Sequence, residues 1–298
     1  MIGFTSGMLA TDHSMEVTYN ESFEKYNIED GHFRLSAAPD ESFIKNIEDE
    51  NDVKLYDISY KEVTAGKNKY RIFVNREKVN KASLMDGRLP EKSDELGIDR
   101  LFAKNNSLKI GDTVKLKGKS FKIVGLIALS DYSALFPKNT DTIFNAQDFT
   151  VATVTSEGFD RLSDAATTPV FAWKNSKNLS ETKQKKLYDD LAKYIAVKAA
   201  YQQITLDEFI PAKENQAIIF TGNDMGRDQS VILVLLAIVM IIMAFIFAIT
   251  TLSMIDKESK SVGTLLASGY TRAELTWHYM RIPILISLLS AILGNILG

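Results

Sequence analysis

The sequence predicts an α+β domain outside the membrane that is joined to transmembrane α-helices. An uncharged run extends from Gln229 to Ile255 and contains the nineteen apolar residues Val231–Ile249. A second apolar run follows Arg281. Before these runs, residues 1–228 carry most of the charge and show helical and strand patterns in mixed order. We therefore expect a membrane part and a larger aqueous part in one chain.

The first uncharged run is long enough to cross a membrane. At a rise of about 1.5 Å per residue, residues 229–255 can span a hydrocarbon core of roughly 30 Å with some tilt. The alternative is a buried core helix of a soluble protein, but such helices are usually shorter and carry some polar residues. The second run, residues 282–298, has seventeen residues and is at the short limit for a span. We expect it to be the start of a next transmembrane helix, cut short at residue 298.

Composition excludes several classes of function. Residues 1–228 hold 31 basic and 35 acidic residues, a net charge of −4. This mildly acidic part gives no electrostatic reason to expect a nucleic-acid partner. The chain contains no cysteine, which excludes a disulfide framework and thiol chemistry but does not decide the compartment.

The basic residues near the apolar runs predict the orientation of the chain. Four Lys or Arg lie between the two runs, whereas Lys213 and Arg227 are the basic residues just before the first run. The positive-inside rule therefore places residues 256–281 in the cytoplasm and residues 13–228 outside the membrane. Residues 1–12 lack the basic start and the apolar length of a signal peptide. Two interpretations of this segment stay open: the outer end of a preceding transmembrane helix, or a buried N-terminal segment.

Helical patterns recur along the aqueous part. Ser14–Tyr26 has apolar residues at helical spacing, and Pro39, followed by acidic residues, opens a short helix that runs through Ile47. Glu181–Ala200 shows the clearest stripe. Its members are Leu187, Leu191, Ile195 and Lys198, while Lys183, Lys185 and Lys186 form a solvated face. We expect the glycine-rich residues 222–226 to form a turn-rich link into the first span.

Strand patterns lie between these helices, and two of them form hairpins. The predicted strands are Val53–Val63, Lys69–Val74, Thr113–Leu116, Phe121–Ala128, Thr150–Thr155 and Pro169–Trp173. Residues 65–68 and residues 117–120 contain glycine between paired strand patterns, so we expect hairpin turns there.

The sequence offers no catalytic, cofactor-binding or metal-binding residue, so we expect a protein that is not an enzyme. His13, His32 and His278 are isolated in the sequence and no metal-spaced cluster occurs. Gly118-Lys119-Ser120 lacks the earlier glycine of a phosphate-binding loop and lies between strands, so it does not predict nucleotide binding. Ser130-Asp131 has no partner base at an informative spacing, which favours a surface or turn position.

The segment after the first span, KESKSVGTLLASGYTRAEL at residues 257–275, carries a recognisable pattern. It resembles the cytoplasmic loop of FtsX-like (MacB-type) ABC-transporter permeases. The family often has Glu where this chain has Ser261, and Arg near Leu266. Gly269 can end a short helix, and Thr271 can cap the next one with Glu274 at capping-box spacing. An ordinary loop between two spans is the alternative.

A second pattern covers residues 84–136 and is similar to the ectodomain of the same family. It reads as a GRLP turn, an acidic turn into a short strand and helix, and then IGDTV before a strand that ends in VGL. The residues that carry it are Gly87, Pro90, Asp94, Glu95, Gly111, Asp112 and Gly125. They are turn and strand-end residues, so they mark a fold and not a reaction. The resemblance covers nearly the whole chain, is closest to the large permeases of Gram-positive bacteria, and implies a domain of the MacB-like periplasmic core type.

The resemblance implies a mechanism and a set of partners. A separate ABC ATPase subunit would dock on a coupling helix at about residues 261–275, and the chain would pair with a second permease half or form a homodimer in the lipid membrane. An extracellular protein, or a lipophilic or peptide substrate, would be the outer partner. The coupling residues implied by the resemblance are Gly263, Leu265, Leu266, Ala267, Gly269, Thr271, Arg272 and Leu275.

Three functions remain open at this point. The first is a permease that exports, extracts or senses a lipophilic or peptide compound. The second is an FtsX-like regulator that uses the same movement to activate an extracellular cell-wall hydrolase. The third is a membrane-anchored receptor ectodomain, which would need neither the second apolar run nor the pattern between the runs.

Overall fold

The computed structural model describes residues 2–176 and 180–297. The helices of this part are α1 Ile2–Lys25, α2 Glu41–Asn51, α3 Arg100–Asn105, α4 Ser156–Asp160, α5 Glu181–Tyr201, α6 Gln216–Lys257, α7 Ser259–Ala267 and α8 Arg272–Leu297. The strands are β1 Gly31–Leu35, β2 Val53–Asp57, β3 Tyr60–Ala65, β4 Asn68–Val74, β5 Ala82–Gly87, β6 Glu95–Asp99, β7 Thr113–Leu116, β8 Lys119–Leu129, β9 Phe149–Val154, β10 Thr167–Thr168, β11 Val170–Asn175 and β12 Leu206–Pro211.

The chain forms two compact units. Tyr19–Thr221 is one unit and holds both sheets, and we call it the α+β domain. Met1–Thr18 together with Gly222–Gly298 is the other, and we call it the helical unit. The predicted fold class, an α+β domain joined to long apolar helices, is confirmed.

A four-stranded antiparallel sheet with the order β12-β1-β11-β2 forms one half of the α+β domain. Helices α2 and α5 cover it, and Trp173 is fully buried at the centre of the shared core. A Cβ at Gly31 would overlap the Trp173 ring, so this strand position requires glycine. The predicted helix at Glu181–Ala200 is confirmed as α5.

The buried stripe of α5 differs from the prediction at one position. Leu191 and Ile195 are fully buried and the predicted lysine face is exposed, as expected. Lys198 is half-exposed, however, and Ala199 is the buried residue at that end of the helix. The small alanine side chain fits against the sheet, whereas the ammonium group of a lysine must stay in contact with water.

An eight-stranded mixed sheet forms the other half, with the order β10-β3-β4-β9-β6-β8-β5 and β7 added beside β8. The pairs β3/β4 and β7/β8 are the two predicted hairpins. The pairs β4/β9 and β6/β8 are parallel, which local sequence patterns did not indicate. The core of this sheet is rich in β-branched and aromatic residues, including Ile72, Ile98, Phe121 and Val151.

The predicted strand Val53–Val63 is wrong as a single element, because it consists of β2 in one sheet and β3 in the other. The break lies at residues 57–59. The backbone N–H of Ser59 donates to the Asp57 carboxylate at 2.8 Å, and the N–H of Ile58 donates to the Val170 carbonyl at 2.9 Å. An aspartate that bonds the backbone two residues on makes a local turn, which lets the chain change sheets.

The helices at the two ends of the α+β domain are longer than predicted. Helix α1 begins at Ile2, not at Ser14, and α6 runs from Gln216 to Lys257 without a break. The predicted turn-rich link at residues 222–226 is therefore wrong. Glycine inside a helix costs only about 1 kcal/mol relative to alanine, and the long apolar continuation of α6 can outweigh that cost.

Two helices of the described chain are long and apolar enough to cross a membrane: Gln216–Lys257, and Arg272–Gly294 within α8. Their apolar side chains are largely exposed, as expected of surfaces that face lipid. Pro283 lies inside α8. The sequence indicated both spans by length and lack of charge, while the helices extend beyond the predicted ranges 229–255 and 282–298.

Candidate functional site

The residues implied in coupling lie on two helices and the turn between them. Gly263, Leu265, Leu266 and Ala267 are in α7, Gly269 and Thr271 are in the turn, and Arg272 and Leu275 are in the first turn of α8. None of the α7 residues is buried, and Leu266 is 39% exposed, whereas Leu275 is buried. The segment therefore presents an apolar surface that has no cover within the described chain.

The turn between α7 and α8 is fixed by local geometry. Gly269 has a φ of +98° with no other atom within 4 Å of where a Cβ would lie, so the backbone conformation and not the space requires glycine. The backbone N–H of Thr271 donates to the Glu274 carboxylate at 2.8 Å, and the N–H of Glu274 donates back to the Thr271 hydroxyl at 3.3 Å. This is the expected capping box, and it sets the start of α8.

A side-chain contact that the sequence did not indicate links α8 to the start of α7. The hydroxyl of Tyr279 donates to the Glu258 carboxylate at 2.5 Å, across 21 positions of the chain. Glu258 is the residue between α6 and α7. The segment from Glu258 to Tyr279 is thus held by two sets of contacts: the capping box in the turn between α7 and α8, and the Tyr279–Glu258 hydrogen bond where α7 begins. This arrangement can provide a defined docking surface, but it supplies no catalytic group.

The α+β domain contains a buried polar cluster that sequence reasoning missed. The carboxylate of Glu29 lies 2.5 Å from Nδ1 of His32 and accepts a hydrogen bond of 2.6 Å from the Asn80 amide. The backbone N–H of Glu29 donates to the same amide at 2.8 Å. His32 is isolated from metal-spaced residues in the sequence, but in the structure its imidazole is paired with Glu29. Its partner is near in sequence, but nothing local showed that both side chains are buried.

A second buried pair lies next to this cluster. Nη1 of Arg76 donates to both oxygens of Asp131, at 2.7 and 2.8 Å. Asp131 lies in a turn after β8, one of the two expected positions, but it is not at the surface, since the two side chains are only 5% and 6% exposed. The two residues are 55 positions apart, and β8 and the loop after β4 bring them together.

Burial and neighbouring charges shift the pKa values of these groups. Burial alone would lower the pKa of His32, but the Glu29 carboxylate outweighs that effect and raises the pKa above its ordinary value. For Asp131, burial raises the pKa and the adjacent Arg76 offsets only part of the rise. His32 is therefore more basic than a free histidine and can act as a cation in this cluster.

Two clefts border the Arg76 side chain. The smaller, which we call the polar cleft, has a volume of about 440 Å³ and has His32, Arg76 and Asp131 among its lining residues. The larger has a volume of about 1170 Å³ and is lined by parts of residues 36–44, 55–59 and 73–79. Within the described residues, no group of three or more His, Asp or Glu side chains could hold a metal ion.

Together, the long exposed helices and the two-sheet domain define a membrane protein with a large aqueous domain. Residues 233–298 match the family model described as FtsX-like permease C-terminal. The C-terminal part of this chain is therefore similar to that of FtsX-like permeases, in agreement with the resemblance of the sequence. The matched region contains most of α6, all of α7 with its turn, and α8.

Comparison with solved structures concerns the α+β domain. It is similar to the periplasmic region of MacB from Actinobacillus actinomycetemcomitans, with 10% identity and a TM-score of 0.36 over 61% of this chain and 89% of that one. It is also similar to the extracellular domain of the ABC-type transporter YknZ from Gram-positive bacteria, with 12% identity and a TM-score of 0.33 over 60% and 98% of the two chains. A comparison with curated protein sequences gave no match.

Proposed function

We propose that this chain is the permease subunit of an ABC transporter and that a separate ATPase subunit docks on α7 and the turn after it. The family match over residues 233–298 carries this proposal, because it includes both apolar helices and the exposed segment between them. The apolar and uncovered surface of α7 supports it, since an ATPase would bury that surface.

In this mechanism, ATP binding draws two ATPase subunits together and moves the coupling segment at residues 256–281. Helix α6 passes the movement to the α+β domain, because residues 229–255 contain neither Pro nor Gly and form a stiff apolar helix. We place residues 13–228 outside the cell membrane and expect a second permease half or a second copy of the chain beside it. The outer domain would then act on a lipophilic or peptide compound or on an extracellular protein.

The first turns of α6 have the contacts that such transmission needs. The backbone N–H of Gln216 donates to the Asn139 side chain at 2.7 Å, and the Ser133 hydroxyl donates to the Ala217 carbonyl at 2.8 Å. Phe220 packs edge-to-face against Phe136, with ring centres 5.5 Å apart. These contacts hold the start of α6 to the loop that follows β8, and β12 of the four-stranded sheet ends just before α6, so a movement of α6 would reach both sheets.

The test is purification of the full-length chain from its native membranes in mild detergent, followed by mass spectrometry and an ATPase assay. We expect a stoichiometric nucleotide-binding ATPase with the wild type and its loss, together with loss of stimulated ATP hydrolysis, with Leu265→Asp/Leu266→Asp. The matched control is Leu84→Asp/Met85→Asp, which places two aspartates on exposed apolar neighbours of β5. Stimulated hydrolysis that survives the α7 change would refute the docking surface.

A further inference from the structure

The loop between β8 and β9 follows the first turns of α6. The side chain of Asn139 accepts a hydrogen bond of 2.7 Å from the backbone N–H of Gln216 and donates one of 3.0 Å to the Glu214 carbonyl. Further along the loop, the Phe144 ring packs edge-to-face against the Phe220 ring, with ring centres 5.4 Å apart. Gln216 and Phe220 are about one helical turn apart. The loop therefore advances along α6 in the direction in which this helix leaves the α+β domain.

This loop presents residues 142–144 to solvent, and we call them the apolar tip. They carry no charge. Ile143 is 77% exposed, more than any other aliphatic side chain described in the α+β domain, and Phe144 is 38% exposed. Just after the tip, the backbone N–H of Asn145 donates to the Leu135 carbonyl at 2.9 Å, so the chain returns to the domain there. The tip is thus an apolar projection that is fixed at both ends.

Helix α6 connects this side of the domain to the apolar run. From Phe220, α6 continues without a break to Gln229, where the uncharged run begins, and this is a rise of roughly 14 Å. The lipid headgroups occupy about 5–8 Å on each side of the hydrocarbon core. The residues of α6 in between include Asp224, Arg227 and Asp228, whose charges are costly inside the core. The remaining gap is one that the Ile143 side chain and a helix tilt of about 20° can close.

We propose that the apolar tip contacts the lipid headgroups of the outer leaflet of the cell membrane, beside α6. This inference rests on the proposed placement of α6 in the membrane and of residues 13–228 outside it. Aliphatic and aromatic side chains gain free energy when they enter the boundary between headgroups and acyl chains. The position of the tip along α6 favours lipid as its partner. The contact would support the α+β domain at the membrane surface while α6 moves.

The test is fluorescence quenching with the full chain in phosphatidylcholine vesicles, with and without a lipid that carries a nitroxide on its headgroup. The chain has no cysteine, so Ile143→Cys accepts a single thiol-reactive fluorophore. We expect the nitroxide lipid to cause a large loss of fluorescence at this position. The matched control is Tyr201→Cys, because Tyr201 is 81% exposed and precedes β12, at the end of that strand away from α6. Its label should lose little fluorescence.

A third position distinguishes failure of this inference from failure of the proposed function. Ile242 lies within the uncharged run of α6, so a lipid with a nitroxide on its acyl chain should quench a label on Ile242→Cys. Absence of that quenching would contradict the placement of α6 and would overturn both proposals. If Ile242→Cys is quenched but the label at residue 143 is quenched no more than that at residue 201, the lipid contact of the apolar tip alone is refuted.

A protein that covers the apolar tip would give a different result. The label at residue 143 would then be protected from iodide in solution but not quenched by the nitroxide lipid. This outcome would also overturn the lipid contact, and it would indicate a second copy of the chain or an outer partner at this place. If Ile143→Cys does not fold, Thr142→Cys provides the same test at the neighbouring exposed position.

Discussion

At the scale of single residues, the GRLP turn at residues 87–90 makes specific contacts that explain its sequence pattern. Glu95 accepts hydrogen bonds from Nη1 of Arg88 at 2.7 Å and from the backbone N–H groups of Glu91 and Lys92, at 2.9 and 3.1 Å. A Cβ at Gly125 would overlap the Arg88 carbonyl, so the turn lies directly on β8. These residues join the segment between β5 and β6 to β8 and to the start of β6.

The carboxylate of Glu95 gives a pH-dependent prediction. Its hydrogen bonds from Arg88, which outweigh the effect of burial, lower its pKa to about 2. Because the folded pKa lies below the unfolded value of about 4.3, the stabilisation is complete above that value and disappears as the pH falls towards 2. Glu95→Gln should lower the free energy of unfolding by about 1–2 kcal/mol at neutral pH, and thermal unfolding should show the difference shrinking in acid.

Glu91→Gln is the control for this change. Glu91 also lies near Arg88, at 3.7 Å, but its side chain is 73% exposed. Exposed ion pairs contribute little, so we expect a difference close to zero at every pH. Equal effects of the two substitutions would show that the hydrogen bonds of Glu95 to the segment between β5 and β6 do not stabilise the domain.

Sequence reasoning found the turn glycines but not the buried ionic cluster, and the difference lies in sequence distance. Gly87 has a φ of +75° and belongs to a short turn pattern, so its role is visible locally. Glu29 and Asn80 are 51 positions apart, and Arg76 and Asp131 are 55 apart. Their burial depends on how two sheets meet, which no local pattern encodes.

At the scale of elements, the corner between α7 and α8 depends on its cap. Thr271→Ala removes the hydroxyl that accepts from Glu274 and should cost about 1 kcal/mol of helix stability. Hydrogen exchange of residues 267–275 in the full chain should become faster, because the first turn of α8 frays. Stimulated ATP hydrolysis should decrease in parallel if this corner docks the ATPase.

Thr276→Ala provides the comparison within the same helix. The Thr276 hydroxyl donates to the Arg272 carbonyl inside α8, so its loss leaves every helical hydrogen bond in place. We expect unchanged exchange at residues 267–275. Faster exchange in both variants would contradict a specific role of the cap.

Local patterns predicted most elements of the chain but not their boundaries. Both hairpins and the helices α2 and α5 followed from turn residues, caps and periodicity. The prediction of a link at residues 222–226 was wrong because it considered only the low helix propensity of the two glycines. The apolar run that follows stabilises α6 enough to keep these residues helical. The parallel pairing of β4 with β9 needs a crossover, and sequence periodicity does not specify the partner of a strand.

At the scale of the whole molecule, the orientation in the membrane is open to a direct measurement. The chain has no cysteine, so a single introduced cysteine is a unique label. Lys183 and Lys260 are both exposed, in α5 and in α7 respectively. We expect a membrane-impermeant maleimide to label Lys183→Cys in intact cells and Lys260→Cys only after the membrane is opened. Labelling of Lys260→Cys in intact cells would reverse the proposed orientation.

The strands of one sheet lie, in the sequence, between the strands of the other, and this sets the order in which the two sheets can be completed during synthesis. All strands of the eight-stranded sheet lie between Tyr60 and Thr168. The four-stranded sheet takes β1 and β2 from before this stretch and β11 and β12 from after it. During synthesis, the eight-stranded sheet therefore has all its strands at a point when β1 and β2 still lack their partners β11 and β12. The four-stranded sheet can be completed only when Leu206–Pro211 has left the ribosome. We therefore expect its long-range strand pairing to be the slow step of folding, during which β1 and β2 stay unpaired.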